Sequence, residues 1–168
     1  MIDNIKLRQA KSSDAAMMAA IYNHYVLNGT ATFEEQALSV SDYEKRISNI
    51  IKLNLPIIIA ENSDAQVLGF AYASLYNPRT AYRFTVEDSI YVHHQHSRKG
   101  VGRKLLSEII KLCRESGFKQ MMAVVGDSNN KGSINLHKSM GFKEVGIARE
   151  VGYKFETWLD VFYMQRTL

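Results

Sequence analysis

The chain has 168 residues, of which 46% are apolar and 23% are charged, and a formal net charge of +4. This composition is typical of one globular domain and excludes a disordered or fibrous protein. No apolar run approaches the roughly 20 residues that a membrane helix needs, and the first residues lack a signal peptide's apolar core, which predicts a cytoplasmic protein with no membrane association. No basic helix face is interleaved with aromatics, so nucleic-acid binding is not expected.

The first third of the chain predicts one strand and two helices. Residues 5–9 alternate in polarity as a strand does, and residues 15–26 are good helix formers preceded by N-cap residues at 12–14. Ser41 and Glu44 have the spacing of a capping box, which predicts a second helix from there to Leu53. The segment 30–34 between the two helices is expected to be extended and carries Phe33.

The next segment predicts a β-hairpin followed by a loop. Residues 57–60 form a continuous apolar run, residues 62–64 are typical of a turn, and residues 67–73 are typical of a returning strand. A loop or single helical turn rich in polar and aromatic residues is expected at 76–83.

The centre of the chain predicts a strand, a basic glycine loop and an amphipathic helix, at residues 85–92, 93–103 and 104–112. This arrangement points backbone N–H groups and the positive end of a helix dipole at one place, which favours a phosphate. The loop is not a P-loop, because no Gly-Lys-Ser/Thr follows it, and it lacks the third glycine of a dinucleotide loop. The single cysteine, Cys113, lies on the apolar helix face and is expected to be a buried, unreactive thiol.

The remainder predicts a strand at 120–125, a polar loop at 126–130, a helix at 131–140 ended by Gly141, and strands at 142–150 and 154–166. An early hairpin followed by strand, helix, strand, helix and strands predicts an α/β (α+β) domain. Its mixed central sheet would be flanked by helices, and one domain would span residues 1–168.

Glu87 is the candidate general base. Partial burial of a strand carboxylate raises its pKa toward neutrality, where it can take a proton from a substrate. The neighbouring Asp88 must point to the opposite face of the strand, so only one of the two can face a given site. The alternative is that Glu87 pairs with a cation such as Arg79.

The glycine loop resembles the pyrophosphate loop of the GNAT superfamily of acetyl-CoA-dependent N-acetyltransferases, which reads Arg/Gln-x-x-Gly-x-Gly/Ala. Here Ser97 stands at the first position and Gly100 and Gly102 supply the glycines. The resemblance covers nearly the whole chain and implies the GNAT fold with acetyl-CoA as co-substrate. The residues that it implies for the coenzyme are Ile90, Tyr91, Val92, Arg98, Lys99, Gly100, Val101, Gly102, Arg103, Asn130 and Ser133.

Within that superfamily, four segments resemble the phosphinothricin / methionine sulfoximine acetyltransferases, namely residues 21–26, 71–73, 85–92 and 135–142. The resemblance implies that Glu87 is the base and that an amino-acid pocket surrounds it. Arg79 suits a substrate carboxylate because a guanidinium binds it through two parallel hydrogen bonds, although a solvated arginine is the commoner finding. The implied substrate residues are Phe33, Asn77, Arg79, Tyr82, Glu87, Asp88 and Ser89.

Residues 130–142 resemble the second GNAT signature, Asn-x-x-Ser/Ala-x-x-Leu-Tyr-x-x-x-Gly-Phe. Asn130 and Ser133 share one helix face and could contact the pantetheine arm. His137 stands where most members have a general-acid tyrosine, and a histidine near its ordinary pKa could protonate the thiolate or relay the amine proton. The alternative is a histidine packed beneath the terminal strands.

No metal site is expected at His93, His94 and His96, because no cysteine or carboxylate completes a ligand set. The prediction is therefore an enzyme that acetylates the α-amine of a small amino-acid analogue, and resistance to a toxic analogue would be its purpose or a side effect. The family tends to dimerise, and the aromatic C-terminal strand could contribute to a homodimer. The alternatives are a protein N-terminal or ribosomal acetyltransferase and a non-catalytic acyl-CoA-binding module.

Overall fold

The computed structural model describes residues 4–168 and contains one seven-stranded sheet in the order β1-β2-β3-β4-β5-β7-β6. Only β4 and β5 are parallel neighbours, while the other strand pairs are antiparallel. The strands are β1 Lys6–Gln9, β2 Ile57–Glu61, β3 Val67–Leu75, β4 Thr85–Val92, β5 Gln120–Gly126, β6 Lys143–Lys154 and β7 Thr157–Thr167. The helices are α1 Ala15–Asn28, α2 Val40–Lys52, α3 Val101–Glu115 and α4 Lys131–Ser139, with 3-10 turns at Ser12–Asp14, Thr80–Tyr82 and His94–His96. The predicted mixed sheet with flanking helices is confirmed.

The two central strands separate halfway along their length. β4 pairs with β5 only from Thr85 and Gln120 to Asp88 and Ala123. Beyond that point β4 continues beside β3 and β5 continues beside β7. The parting opens a wedge in the middle of the sheet, so backbone groups along two strand edges face a cavity there rather than each other.

The two faces of the sheet carry different layers. Residues directly opposite in an antiparallel pair share a face, and one face of β3 and β4 packs against α1 and α2, where the Tyr22 ring lies 4.9 Å from that of Tyr91. The other face packs against α3, where a Cβ on Gly69 would lie 3.3 Å from Leu105. The pairs on the α1 and α2 face are Phe70 with Tyr91, Tyr72 with Ser89, and Ser74 with Glu87.

Two helices begin earlier than the sequence predicted. The capping box of α2 consists of Ser39 and Asp42, not Ser41 and Glu44, because the Ser39 side chain accepts from the Asp42 N–H and Asp42 accepts from the Ser39 N–H. α3 begins at Val101 instead of residue 104, so Gly102 lies in its first turn.

The apolar layers enclose Cys113, whose side chain is fully buried, and burial raises the pKa of this thiol to about 12. The expectation of a buried, unreactive cysteine agrees with this position. Within residues 4–168 no helix is long and apolar enough to cross a membrane.

Candidate active site

A cavity of about 700 Å³ occupies the wedge between β4 and β5. It runs from the glycine turn before α3, past α4, to the segment that follows α1. The predicted site residues that line it are Phe33, Glu87, Asp88, Ser89, Ile90, Tyr91, Val92, Arg98, Gly100, Gly102, Arg103, Asn130, Ser133 and His137. Those that do not line it are Lys99, Val101, Asn77, Arg79 and Tyr82.

The glycine turn and the start of α3 form the wide end of the cavity. Gly100 adopts φ +89°, a left-handed conformation that other residues rarely adopt, and this lets the chain turn into the helix. The Lys104 N–H is the first to bond back within the helix, to the Gly100 carbonyl, so the earlier N–H groups are available to an anion. With Arg98 and Arg103 beside them, these donors fit a diphosphate such as that of coenzyme A.

Val101 has a different role from its neighbours in the turn. Its side chain is 1% exposed and belongs to the core, so any contact with a coenzyme would come from its backbone. Arg103 also ties α3 to α4, because its Nη2 donates to Ser139 Oγ at 3.0 Å. Lys99 is exposed.

Glu87 lies where the cavity reaches the α1 and α2 face. Burial, and secondarily the nearby charge of Asp88, raises the pKa of Glu87 to about 7. No ion pair within 4.0 Å joins its carboxylate to any residue between 4 and 168. The alternative pairing with Arg79 is therefore absent from the structure, and Arg79 lies in an exposed loop.

Asp88 points to the opposite face, as strand alternation predicts, and pairs with His137. Its Oδ2 lies 3.0 Å from His137 Nε2, and both side chains are buried. His137 Nδ1 lies 2.8 Å from the Ser133 carbonyl oxygen. Burial alone would lower the pKa of His137, but the Asp88 carboxylate and the Ser133 carbonyl outweigh it, and the net shift is upward.

This geometry bears on the predicted role of His137 as an acid. A carbonyl and a carboxylate both accept, so a charged imidazolium donates to both of them. Both ring nitrogens are then engaged within the protein, and a proton transfer to a leaving thiolate would require one of these hydrogen bonds to break. The general-acid role of His137 stays a prediction.

The segment carrying Phe33 is held against the terminal strands. The Lys154 side chain is buried, and its Nζ donates to the carbonyl oxygens of Gly29 and Thr32, each at 2.8 Å. The Phe33 ring packs so closely on Gly152 that a Cβ there would lie 2.2 Å from it. These contacts place the ring in the cavity wall beside the end of β5, where a Cβ on Gly126 would lie 3.1 Å from it.

The loop at residues 76–83 is folded on itself at the surface. The Asn77 side chain accepts from the Arg79 N–H at 3.0 Å, and the rings of Tyr76 and Tyr82 lie 5.8 Å apart. The structure therefore does not bring Asn77, Arg79 and Tyr82 into the cavity, and their contact with a substrate stays a prediction.

Several cavity residues were not identified from the sequence. The Tyr25 hydroxyl donates to the Val92 carbonyl and Thr32 bonds to Tyr22, so two α1 residues shape the wedge. Leu136 and the end of β5 also line it. Their contribution depends on where β4 and β5 part, which no local pattern signals.

The histidines beside the glycine turn form a stack rather than a metal centre. The His94 ring lies 4.1 Å from His24 and 4.6 Å from His93, centroid to centroid. In the described part of the chain no group of three or more histidine, cysteine or acidic side chains could hold a metal ion.

The fold and sequence are similar to those of known acetyltransferases. Residues 7–163 match the family described as "Acetyltransferase (GNAT) domain". The crystal structure of a GNAT superfamily phosphinothricin acetyltransferase from Sinorhizobium meliloti in complex with AcCoA is 41% identical, with a TM-score of 0.95, and the match covers 100% of this chain and 89% of that one.

Two further proteins are similar over almost their full length. The L-methionine sulfoximine/L-methionine sulfone acetyltransferase of Salmonella typhimurium is 37% identical over 96% of this chain and 94% of the relative. The structure of ribosomal-protein-alanine N-acetyltransferase from Brucella melitensis is 34% identical, with a TM-score of 0.94, covering 97% of this chain and 99% of that one.

Proposed function

The chain belongs to the GNAT acetyltransferase family, and from that membership we propose that it transfers an acetyl group from acetyl-CoA to the α-amine of a small amino-acid analogue. The substrate class is that of phosphinothricin, methionine sulfoximine and methionine sulfone. The observation that carries the proposal is a partly buried, unpaired Glu87 with a pKa of about 7, placed where the coenzyme-sized cavity meets a second opening.

Glu87 acts as the general base. An α-amine with its ordinary pKa near 8 is mostly protonated at neutral pH, so a neighbouring group must take its proton before it can attack a carbonyl. A carboxylate with a pKa of about 7 is a far better base than one with the usual value near 4.5, yet is still half ionised at neutral pH. Burial without a partner cation therefore suits Glu87 for this step.

The remaining residues hold the donor and orient it. Acetyl-CoA supplies the acetyl thioester. The glycine turn, with Arg98 and Arg103, binds the diphosphate, and the unpaired edge of β4 near Tyr91 offers backbone groups to the pantetheine amides and the thioester oxygen. Asn130 and Ser133 line the cavity from α4 and steady the same arm.

The pocket for the amino acid lies at the Phe33 end of the cavity. The buried Lys154 fixes the backbone that leads into Phe33, at Gly29 and Thr32, so the pocket wall is formed before the substrate arrives. Ser89 and Asp88 complete the strand that faces the donor. The loop with Asn77, Arg79 and Tyr82 would join them only after moving inward.

We also infer four wider properties that the family membership favours. The protein would act in the cytoplasm as a homodimer, and acetylation of a toxic analogue would confer resistance to it. Residues 1–168 would form one acetyltransferase domain. The exposed aromatic residues Tyr153, Phe155 and Trp158 at the β6–β7 turn support an interface there.

A thiol-release assay with acetyl-CoA tests the proposal. We expect release with phosphinothricin, methionine sulfoximine and methionine sulfone, and none with a peptide bearing an N-terminal alanine. Activity with the peptide alone would reject the substrate class in favour of a ribosomal-type acetyltransferase, for which the Brucella melitensis structure is the supporting likeness. Tight binding of acetyl-CoA with no release would indicate a non-catalytic binding module.

A further inference from the structure

A second cavity, of about 500 Å³, lies between α2 and the sheet on the other side of Glu87. Its sheet wall includes Tyr72, Ser74 and Ser89, and its helix wall includes Arg46. Glu87 lines both this cavity and the wedge. A molecule whose amine approaches Glu87 can therefore extend the rest of its length toward α2.

Arg46 is held by aromatic rings within this wall. Its guanidinium carbon lies 5.0 Å from the ring centre of Tyr22 and 5.1 Å from that of Tyr43. The side chain is 27% exposed, so it is largely enclosed but still reachable. Such stacking fixes the plane of the guanidinium at little entropic cost on binding.

The charge of Arg46 has little compensation from the protein. The single carboxylate within 4.0 Å among residues 4–168 is that of Glu34, at the 4.0 Å limit, and its side chain is 49% exposed. Among the described residues, the hydroxyls of Tyr22 and Tyr43 lie close to the guanidinium, but neither makes a well-aligned hydrogen bond with it. The aromatic neighbours are neutral, and the Tyr43 hydroxyl is itself buried without a partner.

A fixed, largely enclosed guanidinium whose donors are only weakly engaged by the protein favours an oxyanion. Its fork matches two oxygens of a carboxylate, phosphinate or phosphonate, and such charged hydrogen bonds are about twice as strong as neutral ones. Other cations of α2 do not offer this, since the Lys45 side chain is 73% exposed and already faces Asp42 at 3.7 Å. An anionic group in this cavity would be bound by Arg46.

We propose that Arg46 binds an oxyanion of the acceptor amino acid. This inference rests on the proposed function and extends it, because it specifies that the acceptor presents a negatively charged group to α2. An acceptor of this class has two kinds of oxyanion that a guanidinium can bind, namely the α-carboxylate and an anionic side-chain group. Phosphinothricin carries both, whereas methionine sulfone carries only the α-carboxylate.

The test compares steady-state kinetics of the wild type, Arg46→Met and Arg46→Lys with these two acceptors. Arg46→Met keeps most of the stem and removes the charge. Loss of a charged hydrogen-bonded pair of about 1.5–3 kcal/mol predicts a rise in KM of roughly 10- to 150-fold with a smaller change in kcat. A rise in KM for phosphinothricin alone would show that Arg46 binds the anionic side-chain group. An equal rise in KM for both acceptors would show that it binds the α-carboxylate.

A folded Arg46→Met variant with unchanged KM for both acceptors would overturn the proposal. Lys52→Gln is the matched control, because Lys52 is exposed on the same helix and lines neither cavity. If Arg46→Met does not fold, as judged by thermal melting, Arg46→Lys decides the question, since it keeps the charge and loses the fork. We expect it to raise KM less than the methionine variant, and an unchanged KM in this variant would then reject the proposal.

Calorimetric titration with phosphinothricin separates this inference from the proposed function, because it needs no turnover. Wild-type binding that Arg46→Met weakens at least tenfold would support an oxyanion site even if no acetyl transfer occurred. Turnover by the wild type together with equal binding in both proteins would leave the proposed function standing and remove Arg46 from it. No binding by the wild type would overturn the site.

Discussion

Glu87 and Asp88 are consecutive carboxylates on β4, yet the two faces of the strand give them different surroundings. Glu87 faces α1 and α2, lines two cavities and has no cationic partner within 4.0 Å among the described residues. Asp88 faces the α3 side and is paired with His137 at 3.0 Å. Asp88 is the more deeply buried of the two, and it has a partner whereas the partly buried Glu87 has none, so pairing separates the structural carboxylate from the reactive one.

The comparison explains how one strand can serve two functions. An unpaired buried carboxylate favours its neutral form, which raises its pKa and makes it a usable base near pH 7. A carboxylate paired with an imidazolium has its charge compensated and joins two elements, here β4 and α4. A change at Glu87 should therefore affect mainly the catalytic rate, whereas a change at Asp88 should affect mainly the stability of the fold.

The largest expected effect comes from Glu87→Gln, which removes the base and keeps the shape. We expect kcat to fall by roughly 10²- to 10⁴-fold at pH 7, the range typical of losing a general base, with the affinity for acetyl-CoA kept. Steady-state kinetics and coenzyme titration measure the two quantities. Glu115→Gln, at the exposed end of α3, is the control and should leave kcat unchanged. An unchanged rate in Glu87→Gln would remove Glu87 from the mechanism.

The second effect is on folding. Asp88→Asn removes the charge facing His137, and the lost charged hydrogen bond predicts a decrease of about 1.5–3 kcal/mol in the free energy of unfolding near pH 6. Urea denaturation measures it. We expect kcat to change only a few-fold when the variant is folded. A stable variant with a 10²-fold lower kcat would instead place Asp88 in the chemistry.

The same pair gives this decrease a pH dependence. The pKa of His137 is raised in the folded protein, so its contribution to stability is present below the ordinary value of 6.5 and is lost as pH rises through the folded value. The difference between the wild type and Asp88→Asn should therefore narrow at alkaline pH. A difference that grew with pH would contradict the assignment of His137 as the charged partner.

The sequence was sufficient for the order of elements and for the opposite orientation of Glu87 and Asp88. Both follow from local rules, the hydrophobic period and the alternation of a strand. The predicted capping box of α2 was wrong by two residues. Ser39 with Asp42 and Ser41 with Glu44 both place a serine three residues before an acidic residue, so the sequence pattern alone does not distinguish them.

The site was harder to predict where it depends on distant contacts. The Asp88–His137 pair joins residues 49 positions apart, and the contact of Arg46 with Tyr22 joins α2 to α1. The unpaired state of Glu87 depends on where the exposed loop at 76–83 lies. None of these has a local signature, so the sequence suggested Arg79 as the anion-binding residue and gave no sign of Arg46.

The smallest expected effect is in the pH profile, and it compares the two faces directly. At saturating acceptor, ionisation of a group with a pKa of about 7 should raise kcat about tenfold between pH 6 and pH 8. Glu87→Gln should lose this pH dependence, so its kcat should not fall between pH 8 and pH 6 (the acid limb of the profile). Asp88→Asn should keep it and move it to lower pH, because the Asp88 charge is the lesser of the two causes that raise the pKa of Glu87 and burial, the greater one, remains. Loss of the limb in Asp88→Asn, with its retention in Glu87→Gln, would assign the titrating group to the α3 side of the sheet and exchange the roles of the two carboxylates.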